Sequence, residues 1–376
     1  MSMNRAVSEW ARNVILPLSP DEQDSLTKQL GRSYTVYGTL LLLPNHSSDA
    51  TAWTLDENRG HEAQRDLFRC IAKHMKITHI ATTRPIPPRN DDAQGSENIV
   101  RSPSRFTPLY GDFGPPMKDG PPTAQDFEAE YWTTAKQNGI SQTWAPRWTM
   151  FSRGNIKEKT RILELPTVAE AVEQGTENGR GCAAVDLYAG IGYFTFSYAK
   201  AGVAKVLCWD LNPWSIEGLR RGAVPNKWQA LLHAGESQVV EMAQSDARLL
   251  VFNESNEYAG ERMKAMRQYL PPIRHVNCGL LPTSRGSWAT AFTVLDPEMG
   301  GWVHVHENFD QREIEQKSEE VRLEFQRLLG PRGIEVGTVI LESINRVKTY
   351  APGVYHVVLD IYIPPHPTAP GDVAPS

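Results

Sequence analysis

Residues 183–196 read AAVDLYAGIGYFTF, and Asp210 stands twenty positions past Gly190 at the end of a second apolar run, Val203–Trp209. Ala183–Leu187 has the character of a buried strand. Gly190 and Gly192 suit a tight turn and a close backbone approach to a ligand. Tyr193–Ala201 continues as a helix, and Val203–Trp209 is the next strand. Asp210 then offers carboxylate oxygens to two ribose hydroxyls. Strand, turn, helix, strand and acid in this order describe a nucleoside site on a βαβ unit, against the alternative of a plain βαβ turn. The glycine spacing is GxG without a third glycine. A dinucleotide pyrophosphate would favour GxGxxG, so an adenosine-bearing ligand without that requirement, such as S-adenosylmethionine, fits better.

The chain has 376 residues, which suggests two domains with an ample core. No run approaches the roughly 18–20 apolar residues of a membrane span. The first twenty residues lack a continuous apolar stretch and a small-residue cleavage site, so no secretory signal is expected. Four cysteines, Cys70, Cys182, Cys208 and Cys278, stand apart without metal-ligand spacing. They indicate neither a zinc site nor a disulfide framework, and a reducing cytoplasm is the expected compartment. Cys182 and Cys208 fall in core strands and are expected simply to pack. The net charge is −5, so a nucleic-acid partner would have to meet a local basic surface. Residues 147–161 are a candidate: Arg147, Arg153, Lys157, Lys159 and Arg161 face one acid, Glu158. Such a run is otherwise a solvated face.

The chain divides near residue 160. Residues 33–44 read as one strand, 61–76 as an amphipathic helix, 77–87 as a strand and 88–121 as loop, so this half is α+β with its own small sheet. Beyond it, strands and helices alternate, the pattern of a doubly wound parallel sheet. WQALLHA (228–234) leads to Gly235, Glu236 and Ser237, LLVF (249–252) reads as a short insertion strand, and HVNCGLL (275–281) is a fourth core strand. WVHVHEN (302–308) is a fifth, with His304 and His306 on one face. The segment 312–329 is a helix closed by Gly330 and Pro331, and 337–347 and 354–363 form a final strand pair. The domains expected are an N-terminal accessory domain over 1–155, a catalytic domain over 156–365 and a disordered tail over 366–376.

Five strings together resemble the tRNA wybutosine-synthesising protein 2 family: WAPRWTMFSRGNIKEKTRI (144–162), DLYAGIGYF (186–194), VNCGLLP (276–282), WVHVHEN (302–308) and RVKTYAPGVYHVVLD (346–360). The long 88–121 loop is similar to the fungal branch. The resemblance implies a Rossmann-like, class I methyltransferase-type sheet behind a smaller α+β domain. It implies transfer of the 3-amino-3-carboxypropyl group of S-adenosylmethionine to the side-chain carbon of 4-demethylwyosine at position 37 of phenylalanine tRNA, releasing 5′-methylthioadenosine. Ser152 and Lys159 fall where the family contacts the co-substrate, and Asp186, Gly190 and Gly192 lie in the matching glycine string. Asp210 falls on the ribose acid, usually Glu in relatives. Glu236 and Ser237 fall where many relatives carry Asp-Asn beside the adenine, a departure that puts this contact in question. Lys159 is a candidate ion pair for the carboxylate of the co-substrate. Asn277, at the carboxyl edge of the fourth strand, is the catalytic candidate, against a strand-end turn residue. Arg147, Arg153, Arg346 and Lys348 are candidate contacts to the tRNA anticodon loop. Trp144, Trp148 or Phe151 either stack on a flipped-out base or pack in the core. No metal, no membrane and a monomer are expected. The competing activity is that of the sister tRNA guanine-37 N1-methyltransferases, whose segment corresponding to NCGLLP resembles NLP; a catalytically inactive RNA-binding scaffold is the non-enzymatic alternative.

Overall fold

The computed structural model of the chain describes residues 2–13, 19–31, 34–44, 60–83, 106–116, 120–235, 238–330 and 337–366, with 98 and 103. The chain forms two compact units, Met1–Ala135 with Thr143–Phe151, and Lys136–Gln142 with Ser152–Ser376.

The first unit holds α1 (Ser2–Asn13), α2 (Pro20–Gly31), β1 (Thr35–Tyr37), β2 (Leu40–Pro44), α3 (Gly60–Met75), β3 (His79–Thr83), β4 (Thr107–Tyr110) and α4 (Ala124–Ala129). Its sheet runs β1-β2-β3-β4, with β2 and β3 parallel and the outer pairs antiparallel. The segment expected as one strand over 33–44 is instead a hairpin turning at Gly38. Residues 107–110, expected in a loop, pair with β3. Leu67, Phe68 and Ile71 of α3 pack with Ala6, Val7 and Trp10 of α1 and with Leu41, Leu43 and Ile80 of the sheet. A further hairpin follows, β5 (Thr133–Gln137) and β6 (Ile140–Trp144), whose tip belongs to the second unit.

The second unit holds α5 (Ile156–Glu164), α6 (Pro166–Glu177), β7 (Ala183–Asp186), α7 (Thr195–Ala201), β8 (Lys205–Trp209), α8 (Pro213–Ala223), β9 (Ala230–Leu232), α9 (Val239–Gln244) and β10 (Leu249–Phe252). It continues with α10 (Ala259–Met266), β11 (Ile273–Cys278), α11 (Trp288–Val294), β12 (Gly301–Asp310), α12 (Ile314–Leu329), β13 (Ile340–Ala351) and β14 (Val354–Ile363). The sheet order is β13-β14-β12-β11-β7-β8-β10-β9. The strands from β12 to β9 are parallel, and β14 is antiparallel to both its neighbours. β7, β10 and β11 are buried on both faces; β10 (LLVF) accordingly reads as an unbroken apolar run, whereas β7 and β11 also bury Asp186, Arg274, His275 and Asn277. Alternation sends Val185, Leu207, Leu250 and Val303 to a face covered by Met263, Trp288 and Phe325. Ala184, Val206, Cys208 and Leu249 go to the other, covered by Ile162, Val168, Phe196 and Ile216. Cys182 and Cys278 are buried as well.

One expectation is reversed. LLVF (249–252) is not an insertion: it is β10, paired directly with β8, and β9 is the short outer edge strand. Both segments are short and apolar, so their pattern did not rank them. Residues 367–376 lie outside the described residues. Among the described residues no helix is long and apolar enough to cross a membrane.

Candidate active site

The site is built at the carboxyl edge of the parallel strands, where ligands bind in open α/β sheets. β7 ends on Asp186, which is wholly buried. Its Oδ2 accepts the Thr195 N–H at 3.0 Å and the Thr195 hydroxyl at 2.8 Å, and its Oδ1 accepts Asn277 Nδ2–H at 3.0 Å. Burial raises its pKa above the ordinary value, and these hydrogen bonds oppose the rise. Asp186 thus fixes the first turn of α7 and, with it, the preceding loop.

That loop turns through Gly190 (φ +54°) and Gly192 (φ +86°), backbone conformations that favour glycine. A Cβ at Gly190 would meet the Tyr193 ring at 2.8 Å, and one at Gly192 would meet the Phe196 ring at the same distance. The two glycines therefore serve the turn itself. The Gly190 N–H donates to Asp210 Oδ2 at 2.8 Å, and the Asn212 N–H donates to Asp210 Oδ1, also at 2.8 Å. Asn212 in turn caps α8 by accepting the Trp214 N–H, with Pro213 in the first helical turn. Asp210 is half-buried. Burial pushes its pKa up to about 6, and the two backbone N–H groups hold it from rising further. Each of its oxygens keeps a second acceptor position, enough for two hydroxyl donors.

Lys159 is buried on α5. Its Nζ donates to Gln137 Oε1 at 2.6 Å and to Gln142 Oε1 at 3.0 Å, and it lies 5.8 Å from the centre of the Tyr193 ring. Gln142 Nε2 donates onward to the Gly192 carbonyl at 3.1 Å. The tip of the β5–β6 hairpin thus links the ammonium to the glycine loop. Burial lowers the pKa of Lys159 to about 8. The Ser152 N–H makes a long hydrogen bond, 3.4 Å, to Tyr193 Oη, and the Ser152 hydroxyl makes no capping bond to the short turn it precedes.

Because β10 neighbours β8, the residues that follow it border Asp210. Asn253 Nδ2 donates to the Asp210 carbonyl at 2.9 Å, and Asn256 Nδ2 donates to the Leu187 carbonyl at 2.8 Å. The sequence reading missed these two. Their signal was the polar run NESN directly after an apolar strand. Glu236 and Ser237 lie outside the described residues, and the strand before them, β9, is one place farther from β8.

Asn277 is wholly buried on β11, and among the described residues its Oδ1 has no hydrogen-bond partner. It belongs to a polar row across the sheet. Asp186, Asn277, His304, Asp360 and Ser343 stand in register on β7, β11, β12, β14 and β13. His304 Nδ1 meets Asp360 Oδ1 at 2.6 Å, and Ser343 donates to Asp360 Oδ2 at 2.6 Å. Arg161 of α5 donates to both Asp360 oxygens and to Glu158, which also accepts Asn345 Nδ2–H. Burial alone would raise the pKa of Asp360, but His304 and Arg161 hold it below the usual carboxylate range.

The four basic candidates separate. Arg147 is bound to Glu130 through two nitrogens, donates to the Pro115 carbonyl and lies over Trp148. It is an internal clamp of the first unit. Arg153 is exposed. Lys348 Nζ donates to Asn155 Oδ1 at 3.1 Å, which joins the short turn Arg153–Asn155 to β13, the strand that also carries exposed Arg346. Of the aromatic candidates, Trp144 and Phe151 are buried and stack on each other with ring centres 4.7 Å apart, and Trp148 donates to Glu130. The core-packing alternative therefore holds for Trp144 and Phe151, whereas Trp148 is partly exposed. A cleft of about 370 Å³ lined by Thr283, Arg285, Trp288, Glu307 and Phe309 contains none of the candidate residues. Among the described residues no group of three or more His, Cys, Asp or Glu side chains is arranged to hold a metal.

Residues 133–268 match the family model described as TRM5/TYW2 methyltransferase domain. The tRNA wybutosine-synthesizing protein 2 of Schizosaccharomyces pombe is 40% identical over 87% of this chain and 72% of its own length. That of Saccharomyces cerevisiae is 32% identical over 76% of this chain, which spans 60% of that relative. Among solved structures, P. horikoshii TYW2 in complex with MeSAdo has the same fold, with a TM-score of 0.59 at 18% identity over 96% of this chain and 99% of that one. The glycine loop and its acid thus sit on a sheet of known type, and the chain belongs to the tRNA wybutosine-synthesizing protein 2 family.

Proposed function

We propose that this chain transfers the 3-amino-3-carboxypropyl group of S-adenosylmethionine to the side-chain carbon of 4-demethylwyosine at position 37 of phenylalanine tRNA. The observation that carries the reading is Asp210, held by the Gly190 and Asn212 N–H groups at the carboxyl edge of the sheet in a chain of this family. The open acceptor positions of its carboxylate fit the two ribose hydroxyls. Asn253 and Asn256 stand where the adenine edge would lie, beyond β10. Lys159 supplies a cation for the carboxylate of the methionine arm, delivered through the same hairpin that steadies Gly192. Asp186 acts indirectly, by fixing the loop and Asn277.

When bound, the co-substrate supplies a sulfonium with three electrophilic carbons. The protein selects among them by position, since the attacked carbon must lie in line about 3–3.5 Å from the nucleophile. Holding the methionine arm at its carboxylate end turns the γ-carbon, not the methyl group, toward the base. Arg153, Arg346 and Lys348 form the basic surface for tRNA. Residues 1–155 are the accessory, tRNA-contacting part, and the protein works as a monomer on the anticodon loop.

The test is incubation of the protein with S-adenosylmethionine and hypomodified phenylalanine tRNA, followed by chromatography of the nucleoside by-product. 5′-Methylthioadenosine is expected. S-Adenosylhomocysteine with a methylated base would assign the chain the sister methylation instead, and neither product would leave it a binding protein.

A further inference from the structure

Beyond the polar row, toward the carboxyl edge, lies a second group of buried polar side chains. His306 of β12 is 2% exposed and His356 of β14 is 0% exposed. His306 Nδ1 and His356 Nε2 are 3.0 Å apart, so the two rings share one hydrogen. Among the described residues the outer nitrogens, His306 Nε2 and His356 Nδ1, have no hydrogen-bond partner, and neither do the two polar atoms of the Asn308 side chain or Asn277 Oδ1. Buried polar atoms in native proteins are nearly always paired, and several orphans in one place call for an occupant. The group also borders the glycine loop. The Phe194 ring, two residues past Gly192, lies 5.0 Å from the His306 ring, and a Cβ on Gly279 would touch the same ring at 3.5 Å. His306 sits one step beyond the Cys278–Val305 pair, where β11 has ended and β12 continues.

We propose that His306, backed by His356, is the proton acceptor for the carbon–carbon bond-forming step. The inference rests on the transferase reading above. In that reaction the nucleophilic carbon of the tricyclic base exchanges a C–H bond for a C–C bond to the γ-carbon. The γ-carbon–sulfur electron pair leaves with sulfur, which becomes the neutral thioether of 5′-methylthioadenosine. The positive charge of the sulfonium therefore departs as a proton. His306 Nε2 takes that proton, and Nδ1–H passes its own to His356 Nε2. Asn277 Oδ1 offers the base edge an acceptor, and Asn308 Nδ2 offers it a donor beside it. The neighbouring groups are already engaged: Asp186 with Thr195 and Asn277, and Lys348 with Asn155.

Both rings are neutral at pH 7. Burial pushes the pKa of His356 down to about 4, with the nearby Lys348 charge adding to the fall. Burial, then His356, His304 and Arg161, carry His306 well below its ordinary value against the opposing pull of Asp360. A weak base suffices for a proton leaving a base that has gained both an alkyl group and a positive charge.

Two measurements on the full chain test the assignment. The first is single-turnover transfer at saturating co-substrate by His306→Gln, which keeps a hydrogen-bonding side chain but accepts no proton. The rate should fall on the order of a hundredfold, the usual worth of a general base. Affinities for S-adenosylmethionine and tRNA should stay within about twofold, as for a group that acts in the transition state alone. Tritium or deuterium at the reacting carbon should give a primary isotope effect that is larger in the variant than in the wild type, which a purely structural histidine would not produce. A variant rate within about threefold of wild type would overturn the assignment. The second is the nitrogen-15 tautomer spectrum of histidine-labelled wild-type protein, which needs neither turnover nor a folded variant. His306 Nε2 should carry no proton, and a protonated Nε2 would likewise overturn the assignment. A wild type that releases no 5′-methylthioadenosine would sink the transferase reading separately.

Discussion

In the proposed site Asp210 and Lys159 would bracket the co-substrate with opposite charges, and their titrations would confine binding to a window. The pKa of Asp210 is pushed up to about 6, and that of Lys159 down to about 8. Two ribose hydroxyls donate best to the ionised carboxylate, and the methionine carboxylate pairs only with the ammonium. S-Adenosylmethionine affinity should therefore be highest between pH 6 and 8 and be lower by roughly tenfold at pH 5 and at pH 9. Calorimetry across this range checks it. Asp210→Asn should weaken binding by about 1.5–3 kcal/mol and abolish the acid limb, and Lys159→Met should abolish the alkaline one. The apo protein follows the opposite sign at Asp210. Its folded pKa lies above the ordinary 3.8, so the folded state holds the extra proton and this contribution to stability falls as pH rises from about 4 to 6. Co-substrate should thus raise the thermal midpoint more at pH 7 than at pH 5. Asp210 and the glycines were legible because their spacing within one βαβ unit is local. The partners of Lys159 were not, because Gln137 and Gln142 lie 22 and 17 residues away and nothing marks a glutamine as a lysine ligand.

The helix α5 is attached to β14 through buried charge. Arg161 carries that attachment, donating at 2.6 and 3.0 Å to Asp360 of β14 and at 2.7 Å to Glu158. Arg161→Met should remove the guanidinium that Asp360 and Glu158 share, a loss of about 3–5 kcal/mol in urea unfolding. If the loss is under about 1 kcal/mol, the pair is not the anchor of α5. Loosening α5 would also weaken the bond of Lys159 to Gln142, so co-substrate affinity should weaken in parallel. The sequence marked the segment of α5 as basic but did not mark it as a helix, and the acid that pairs with Arg161 stands 199 residues on. The exchange of β9 and β10 has a related cause. A strand's apolar pattern states that it is buried, whereas its place in the sheet depends on which loops can cross, and 228–234 and 249–252 carry the same pattern.

For the molecule as a whole, the alternation of strands and helices made the doubly wound sheet legible, and charge is the property with the largest functional consequence. A chain of net charge −5 must meet a polyanion through a local surface. The run 147–161 suggested one continuous basic stretch, but folding divides it: Arg147 is tied to Glu130, Lys159 is buried, Arg161 is paired with Asp360, and Arg153 stays exposed. The turn Arg153–Asn155 and β13 meet through Lys348 and Asn155, so Arg153 and Arg346 flank a half-buried Lys348. Arg346 has a loose contact with Glu315 at 3.6 Å, which a phosphate can displace. The affinity for tRNA should accordingly fall steeply with salt, because each neutralised phosphate releases counterions. Arg153→Ala and Arg346→Ala should each lower the slope of log K against log salt by about 1 and weaken binding of every tRNA alike. Arg147→Ala should leave the slope unchanged and instead destabilise the first unit, since it strands buried Glu130 without its cation. Filter binding over a salt series separates the two classes. An unchanged slope for both Arg153→Ala and Arg346→Ala would move the tRNA to another face, and a near-zero slope for the wild type would count against a polyanionic substrate altogether.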